Sequence, residues 1–169
     1  MFFNFRNALT KIPSSRDMAV AILEAAGFGE RLYGRRIGGY ISFSQAFQDV
    51  FVLEMLNKKQ KGYYVEIGSN DPVGNSNTYC LEKYYGWTGV SIEMDVMLAN
   101  KFNSKRKNVC INTDATKFDY AKYFKERSWP TQIDYLQLDI EPANNTYAAL
   151  NMLPLDEYRF SVITYEHDN

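Results

Sequence analysis

The stretch YYVEIGSNDPVGNSN, residues 63–77, decides how the rest of the chain is interpreted. From Tyr63 to Ile67 it has the apolar character of a buried strand, interrupted only by Glu66. At Gly68 the pattern changes to small, polar and turn-forming residues. Such a segment is either an ordinary strand-to-helix turn or a loop built to lie against a ligand.

Beyond this stretch, strand and helix patterns alternate with short connections. Strands are predicted over residues 63–68, 88–94, 108–114, 132–141 and 159–168. Helices are predicted between them, over residues 75–86, 97–107, 119–128 and 144–153. This alternation is typical of a parallel sheet with helices on both faces. We therefore predict an α/β fold with a Rossmann-like, open and mostly parallel sheet.

The chain is predicted to consist of two parts, of which the second contains this pattern. Residues 1–43 are interpreted as an N-terminal helical arm, with a helix over 15–29 that Ser15 caps and a flexible link over 35–43. Residues 44–169 form the core domain.

The core domain is predicted to begin with a helix that Ser44 caps and that ends before Gly62. Its buried face is expected to carry the apolar residues at helical spacing, which are Phe47, Val50, Phe51 and Met55.

Composition describes a globular, water-soluble chain, with 46% hydrophobic and 23% charged residues. No apolar run approaches the ~18 residues that cross a bilayer, and the first residues do not resemble a signal peptide. Cys80 and Cys110 lack metal-site spacing and are interpreted as reduced, buried thiols. We expect a cytoplasmic protein that does not associate with membranes.

Charge is distributed unevenly along the chain. Residues 1–61 carry nine Lys and Arg against five Asp and Glu, whereas residues 62–169 carry ten against fifteen. A basic arm could contact nucleic acid or anionic lipid. Because the basic residues form no long run, we interpret them as solvated surface and expect no nucleic-acid partner.

Acidic residues lie at the end of every predicted strand of the core. They are Glu66, Glu93 and Asp95, Asp114, Asp139 and Glu141, and Glu166 and Asp168. In an open α/β sheet a ligand binds outside the carboxyl ends of the strands, where the strand order reverses. Acidic strand ends therefore predict a ligand with hydroxyls, amines, positive charge or a metal.

The loop after the first core strand does not suit a phosphate. A dinucleotide fingerprint would read G-x-G-x-x-G, whereas GSNDPVG lacks the second glycine and places Asp71 where a phosphate would be repelled. Glu93 is placed to accept hydrogen bonds from both hydroxyls of a ribose. Since Glu66 and Asp71 would also attract a sulfonium cation, S-adenosylmethionine meets all of these requirements.

Six segments of the chain, in this order between residues 44 and 168, resemble those of a known protein family. They are SQAFQD (44–49), GYYVEIGSND (62–71), SNTYCLEKYYGWTGVSIE (76–93), NTDAT (112–116), IDYLQLDIE (133–141) and FSVITYEHD (160–168). With these segments the chain resembles the FkbM-type methyltransferase family, which transfers methyl groups from S-adenosylmethionine to oxygen.

The resemblance implies a set of cofactor-binding residues. These are Glu66, Gly68, Ser69, Asn70, Asp71, Asn77, Thr78, Glu93, Met94, Asp114 and Ala115. Residues 66–71 would surround the methionine end, and residues 77 and 78 would begin the helix behind it. Glu93 would bind the ribose, and Met94, Asp114 and Ala115 would contact the adenine. For Asn77 and Asp114 a role as a helix or turn cap remains open.

The resemblance places Asp139 beside the transferable methyl group. His167, the one histidine of the chain, lies at a strand end between two carboxylates, and we predict it to be the general base that takes the proton from the acceptor hydroxyl. The alternative is Mg²⁺ held by Asp139, Glu166 and Asp168, with Glu141 nearby, which would acidify the hydroxyl instead.

Methyltransferases of this class continue with a further helix and two more strands, so we expect a C-terminally incomplete core that lacks the last strands. Two functions stay open. The first is an enzyme, an O-methyltransferase acting on a hydroxyl of a sugar, glycan or other small hydroxylated metabolite. The second is a catalytically incomplete binding or assembly module that retains the fold. The second predicts a homo-oligomer in solution.

Overall fold

The computed structural model describes residues 18, 19, 22, 23 and 28–166. The chain divides into two compact units, residues 1–34 and residues 35–169. The first unit contains the short helix α1 (Gly29–Tyr33). The helix predicted over residues 15–29 lies largely outside the described residues, and so does its predicted cap, Ser15.

The second unit follows the predicted alternation of strands and helices. Its strands are β1 (Arg35–Ile37), β2 (Tyr40–Ser42), β3 (Tyr63–Ile67), β4 (Thr88–Glu93), β5 (Val109–Asn112), β6 (Gln132–Leu138) and β7 (Arg159–Tyr165). Its helices are α2 (Gln48–Met55), α3 (Tyr79–Tyr85), α4 (Val96–Lys105), α5 (Tyr120–Glu126) and α6 (Ala143–Met152). From residue 63 onward each element falls within a residue or two of its predicted range, except that α3 begins four residues later and that β6 and β7 each end three residues earlier.

In the part of the chain that the structure describes, strands β3 to β7 form one parallel sheet, the main sheet, in the order β5-β4-β3-β6-β7. The strand order reverses between β3 and β6, because the chain winds outward from β3 to β5 and then returns to the other side of β3. Helices flank the sheet. The predicted open, Rossmann-like α/β fold is confirmed.

One face of the main sheet forms the larger hydrophobic core. Val65 and Ile67 of β3 pack with Val90 and Leu136 of the neighbouring strands, all of them fully buried. Aromatic rings complete this core. They come from α5 and from the segments after α5 and α6: Tyr120, Tyr123, Phe124, Trp129 and Tyr158.

The opposite face of the main sheet is polar toward the carboxyl ends of its strands. Residues paired in register on parallel strands present their side chains to the same face. A row of such partners crosses the sheet, and we call it the polar row: Cys110, Ser91, Glu66, Gln137 and Thr164. Thr78, just before α3, and Arg106, just after α4, contact this face through Glu66 and Tyr64.

The prediction of a flexible link over residues 35–43 is wrong. Strands β1 and β2 pair antiparallel as a hairpin, and its turn residues Gly38 and Gly39 have φ angles of 53° and 86°. Two glycines suit a two-residue hairpin turn, because both of its central residues need positive φ. Tyr40 and Phe43 are buried, so this segment belongs to the packed part of the second unit.

The buried face predicted for α2 is also wrong. Phe51 and Met55 are 50% and 60% exposed, whereas Val52 and Leu53 are fully buried. Asp49 explains the rotation, because its carboxylate accepts hydrogen bonds from the Ser42 hydroxyl (2.6 Å) and the Phe43 amide (2.8 Å). The buried face of α2 therefore contains Asp49, Val52 and Leu53.

The start of α2 differs from prediction as well. Phe47 has a left-handed conformation, with φ 61°, and the helix begins at Gln48. The Ser44 hydroxyl nevertheless accepts a hydrogen bond from the Gln48 amide (2.9 Å). Ser44 therefore still caps the first residue of the helix, although it lies three residues before the N-cap position, which Phe47 occupies.

None of the described helices combines the length and the apolar character that crossing a membrane would require.

Candidate functional site

A cavity of about 320 Å³ opens at the carboxyl ends of β3, β4, β5 and β6, and we call it the strand-end cavity. Its volume lies within the range of about 300–1,000 Å³ that small-molecule sites occupy. The residues that line it are Gly68, Asn70, Ile92, Glu93, Met94, Leu98, Thr113, Asp114, Ala115, Thr116, Asp139, Ile140, Glu141 and Asn145. It lies where the strand order reverses, the position at which open α/β sheets bind ligands.

Gly68 sets how closely the ends of β3 and β6 approach each other. Its φ is +83°, and a Cβ at this position would lie 1.8 Å from the carbonyl oxygen of Asp139. Only glycine tolerates both the conformation and the approach. The wall between the two strand ends is therefore bare backbone, which gives a ligand access to the sheet edge.

Glu93 ties the loop after β3 to the end of β4. One carboxylate oxygen accepts a hydrogen bond from the Asn70 amide (2.9 Å), and the other accepts from the Asp95 amide (2.9 Å). Asp95 in turn caps α4 by accepting from the amides of Met97 and Leu98. These contacts hold the Glu93 carboxylate in the cavity wall, where it can accept hydrogen bonds from a ligand.

Asp114 follows β5, and the structure shows its role as a turn cap, whereas contact with an adenine stays a prediction. It lines the strand-end cavity, and it caps the following turn by accepting from the Thr116 amide (2.9 Å) and hydroxyl (2.7 Å). Its other oxygen pairs with Lys117 at 2.7 Å. The bond to Lys117, followed by those from Thr116, lowers the pKa of Asp114 to about 2. Ala115, which is buried, lines the cavity next to it.

The strand-end cavity is acidic on one part of its wall and apolar on another. Its carboxylates are those of Glu93, Asp114, Asp139 and Glu141, and none of the described residues that line it is Lys, Arg or His. Apolar surface comes from Ile92, Met94, Leu98, Ala115 and Ile140. A pyrophosphate would meet repulsion here, whereas hydroxyls, amines or a cation would meet complementary groups.

Glu66 and Thr78 do not line the strand-end cavity. Glu66 is buried, and its two oxygens accept from the hydroxyls of Thr78 (2.9 Å) and Ser91 (2.6 Å). Burial raises the pKa of Glu66, and this effect outweighs the positive charge of Arg106, which lowers the pKa. In this structure both residues connect the sheet to the start of α3, where Thr78 was expected, whereas Glu66 was expected to surround the methionine end of the cofactor.

Ser69 and Asp71 shape the loop after β3 and are likewise outside the cavity wall. Asp71 accepts from the amides of Val73 (2.9 Å) and Gly74 (2.8 Å) and pairs with Lys101. Burial opposes ionisation of Asp71, but these bonds outweigh it and lower its pKa. Ser69 is buried with its hydroxyl 3.6 Å from the Cys110 sulfur.

Both cysteines are free and buried, as the sequence predicts. Burial raises the pKa of Cys80 to about 12 and that of Cys110 to about 11.

Asn77 lies apart from the other predicted cofactor residues. It is 8% exposed, its side-chain oxygen accepts from the Ser44 hydroxyl (2.5 Å), and it lines a second cavity together with Glu166. The strand-end cavity therefore brings together Gly68, Asn70, Glu93, Met94, Asp114, Ala115 and Asp139 from the predicted set.

Arg106 is a buried residue of this region that the sequence analysis missed. Its guanidinium donates to the Pro72 carbonyl (2.9 Å) and to the Thr78 hydroxyl (3.1 Å), and it pairs with Glu82 at 2.9 Å. It therefore fixes the loop that leads from the cavity into α3. In the sequence it stands within the basic run KRK at 105–107, and no spacing separates it from its solvated neighbours.

Within the described residues, no group of three or more His, Cys, Asp or Glu side chains is arranged to hold a metal ion. Asp139 lines the strand-end cavity, and Glu166 lines the second one. His167 and Asp168 lie outside the described residues. The general base and the magnesium alternative therefore stay predictions.

No protein-family model matches the chain, and a comparison with curated proteins gives no match either. What the structure itself defines is a Rossmann-like α/β domain whose acidic, partly apolar cavity lies where its strand order reverses.

Proposed function

We propose that the chain binds S-adenosylmethionine in the strand-end cavity and is an O-methyltransferase for a hydroxyl of a sugar or other small hydroxylated metabolite. The observation that carries this proposal is the acidic cavity, without a basic lining residue among those described, at the reversal of the strand order. The six ordered segments that resemble the FkbM-type family support the same proposal.

The residues that line the cavity fit each part of this cofactor. Glu93 at the end of β4 provides carboxylate oxygens for the ribose hydroxyls. Met94, Leu98 and Ile140 provide apolar surface for the adenine. Asp139 provides negative charge for the sulfonium, and the bare backbone of Gly68 makes room for the methionine end.

The bound cofactor would supply an electrophilic methyl group. The chain's own residues would hold and orient the acceptor hydroxyl in line with it and would shield both from water. Removing or sharing the hydroxyl proton requires a base, and we assign that role to His167 on its sequence position. In the alternative function, a catalytically incomplete module, the fold binds the same ligand but the proton is not removed and no methyl group is transferred.

Isothermal titration calorimetry with S-adenosylmethionine and S-adenosylhomocysteine tests the binding step, with NAD as a phosphate-bearing comparison. We expect both sulfur compounds to bind the wild type and NAD to bind far more weakly. Glu93→Ala should weaken cofactor binding about tenfold to a hundredfold, because it removes charged hydrogen-bond acceptors. Glu157→Ala, at an exposed glutamate in the turn before β7, should leave binding unchanged.

The outcomes separate the alternatives. A folded wild type that binds neither sulfur compound contradicts the proposal. Cofactor binding with no transfer of labelled methyl to any hydroxylated acceptor favours the non-catalytic module instead.

A further inference from the structure

A second cavity of about 240 Å³ lies beside the carboxyl ends of β6 and β7, and we call it the amide cavity. The residues that line it are Gln45, Ala46, Gln48, Asn77, Gln137, Leu138, Thr164, Tyr165 and Glu166. None of them lines the strand-end cavity. Leu138 of the amide cavity and Asp139 of the strand-end cavity are consecutive residues, so both cavities reach the carboxyl end of β6.

Gln137 is the unusual residue of the amide cavity. It is 3% exposed, and its side-chain oxygen has no hydrogen-bond partner. Among the buried side-chain nitrogen and oxygen atoms of the described residues, no other is left unpaired. Buried polar groups are nearly always paired, so an unpaired one in a cavity wall indicates a partner that the protein itself does not provide.

The neighbours of Gln137 in the polar row do not supply that partner in this structure, because their side chains are paired with other groups. On one side, both oxygens of Glu66 accept from hydroxyls of the protein. On the other side, the Thr164 hydroxyl is paired with the hydroxyl of Tyr135 at 2.7 Å. The donor for the Gln137 oxygen therefore comes from outside the protein, and water fills that place until a ligand hydroxyl replaces it.

The remaining polar groups of the amide cavity indicate what kind of ligand. The side-chain oxygen of Gln48 accepts from the Ala46 amide (2.9 Å) and that of Asn77 accepts from the Ser44 hydroxyl (2.5 Å), so these amides can offer their NH2 groups as donors. None of the described residues that line the cavity is Lys, Arg or His, and Glu166 contributes the one carboxylate. This set suits an uncharged ligand with hydroxyls that both donate and accept, and it disfavours phosphates and carboxylates.

We propose that the amide cavity holds the hydroxylated acceptor as a neutral sugar or polyol, with one of its hydroxyls donating to the side-chain oxygen of Gln137. The proposal rests on the proposed function, because it places the acceptor at the same strand end as the methyl donor, where Leu138 and Asp139 are consecutive residues. It narrows the acceptor to uncharged polyols and assigns specificity to Gln137.

Saturation-transfer NMR with neutral methyl glycosides and inositol, and with glucose 6-phosphate and glucuronate as charged comparisons, tests the proposal on the full chain. Gln137→Met keeps the length of the side chain and removes its acceptor oxygen. We expect neutral members to bind the wild type, charged members not to bind, and Gln137→Met to weaken the neutral ones about tenfold, as the loss of one hydrogen bond would. Gln132→Met, on the exposed first residue of β6, should bind them as the wild type does.

The melting temperature provides a second readout that does not need a ligand. Because the oxygen of Gln137 is unpaired in the free protein, Gln137→Met should melt no lower than the wild type. The proposal is overturned if no neutral member binds, if charged members bind equally well, or if Gln137→Met leaves their binding unchanged. Titration with S-adenosylmethionine keeps the two proposals apart, since cofactor binding without sugar binding defeats only the acceptor site, and the reverse defeats only the cofactor site.

Discussion

Glu66 and Gln137 are direct partners in the register of β3 and β6, so their side chains lie next to each other on one face of the main sheet. Their hydrogen bonding is opposite. Both oxygens of Glu66 are paired, with the hydroxyls of Thr78 and Ser91, whereas the oxygen of Gln137 has no partner. Within the polar row, Glu66 on β3 therefore stabilises the fold, whereas the oxygen of Gln137 on β6 is available to a ligand.

The first prediction concerns how Glu66 links stability to pH. Burial raises the pKa of Glu66 in the folded protein above its value in the unfolded chain, which is near ~4.3. The folded state therefore keeps a proton that the unfolded state has released, and stability falls as pH rises from the unfolded toward the folded pKa. Glu66→Gln removes this loss, so its melting temperature should gain on that of the wild type as pH rises through this window.

Thermal melts from pH 4 upward, by circular dichroism, measure the difference between the two proteins. Glu126→Gln, at an exposed position of α5, should follow the wild type at every pH. A constant difference between Glu66→Gln and the wild type across the range would contradict the raised pKa.

The second prediction concerns the buried guanidinium of Arg106. Its removal in Arg106→Met leaves the side chain of Glu82, which is 8% exposed, without its ion-pair partner. Breaking one side of a buried pair costs about 3–5 kcal/mol, so the free energy of unfolding should fall by that amount. Chemical denaturation measures it. The neighbouring exposed Lys107, changed to alanine, should alter stability by less than about 0.5 kcal/mol, and an equal loss in both variants would remove the special role of Arg106.

The order of elements from residue 63 onward could be predicted from the sequence because each depends on local signals. Apolar runs, capping residues and turn-forming residues lie within a few positions of the helix or strand that they define. The hairpin at residues 35–42 carried such a signal too, in the pair Gly38 and Gly39, which we interpreted as flexibility. The rotation of α2 could not be predicted, since Asp49 binds Ser42 and Phe43, which lie outside the helix.

Residues of the candidate site that lie at strand ends could be predicted from the sequence. Residues whose role depends on how side chains pack in the folded chain could not. Glu93, Asp114 and Asp139 line one cavity because the carboxyl ends of parallel strands meet at one edge. Glu66 lies in β3, two residues before Gly68, but its side chain is on the polar face of the main sheet, where both of its oxygens accept hydrogen bonds. Gln137 carried no signal, because an unpaired atom is defined only by its surroundings in the folded chain.

The third prediction concerns the close approach at Gly68. A methyl group there would lie 1.8 Å from the Asp139 carbonyl oxygen, and the φ of +83° disfavours any side chain. Gly68→Ala should therefore separate the ends of β3 and β6 and lower the melting temperature by several degrees, as a strained backbone position does. Differential scanning calorimetry checks this. Gly29→Ala, where an added Cβ meets nothing within 4 Å, provides the matched control, and similar melting temperatures for the two variants would contradict the argument.

The last prediction concerns the pairing of Asp114 with Lys117 at the cavity wall. The bond to Lys117 is the largest cause of the lowered pKa of Asp114, so Lys117→Ala should raise that pKa from about 2 toward the ordinary value of 3.8. Carbon-detected NMR titration of the side-chain carboxyl measures the shift. Because the pKa is lowered in the folded state, the stability that Asp114 contributes is present above its unfolded value and is lost as pH falls toward 2. In Lys117→Ala this loss should be smaller, while Lys122→Ala, an exposed lysine on α5, should leave the Asp114 titration unchanged. An Asp114 that titrates identically in wild type and Lys117→Ala would show that the Thr116 bonds alone hold its charge.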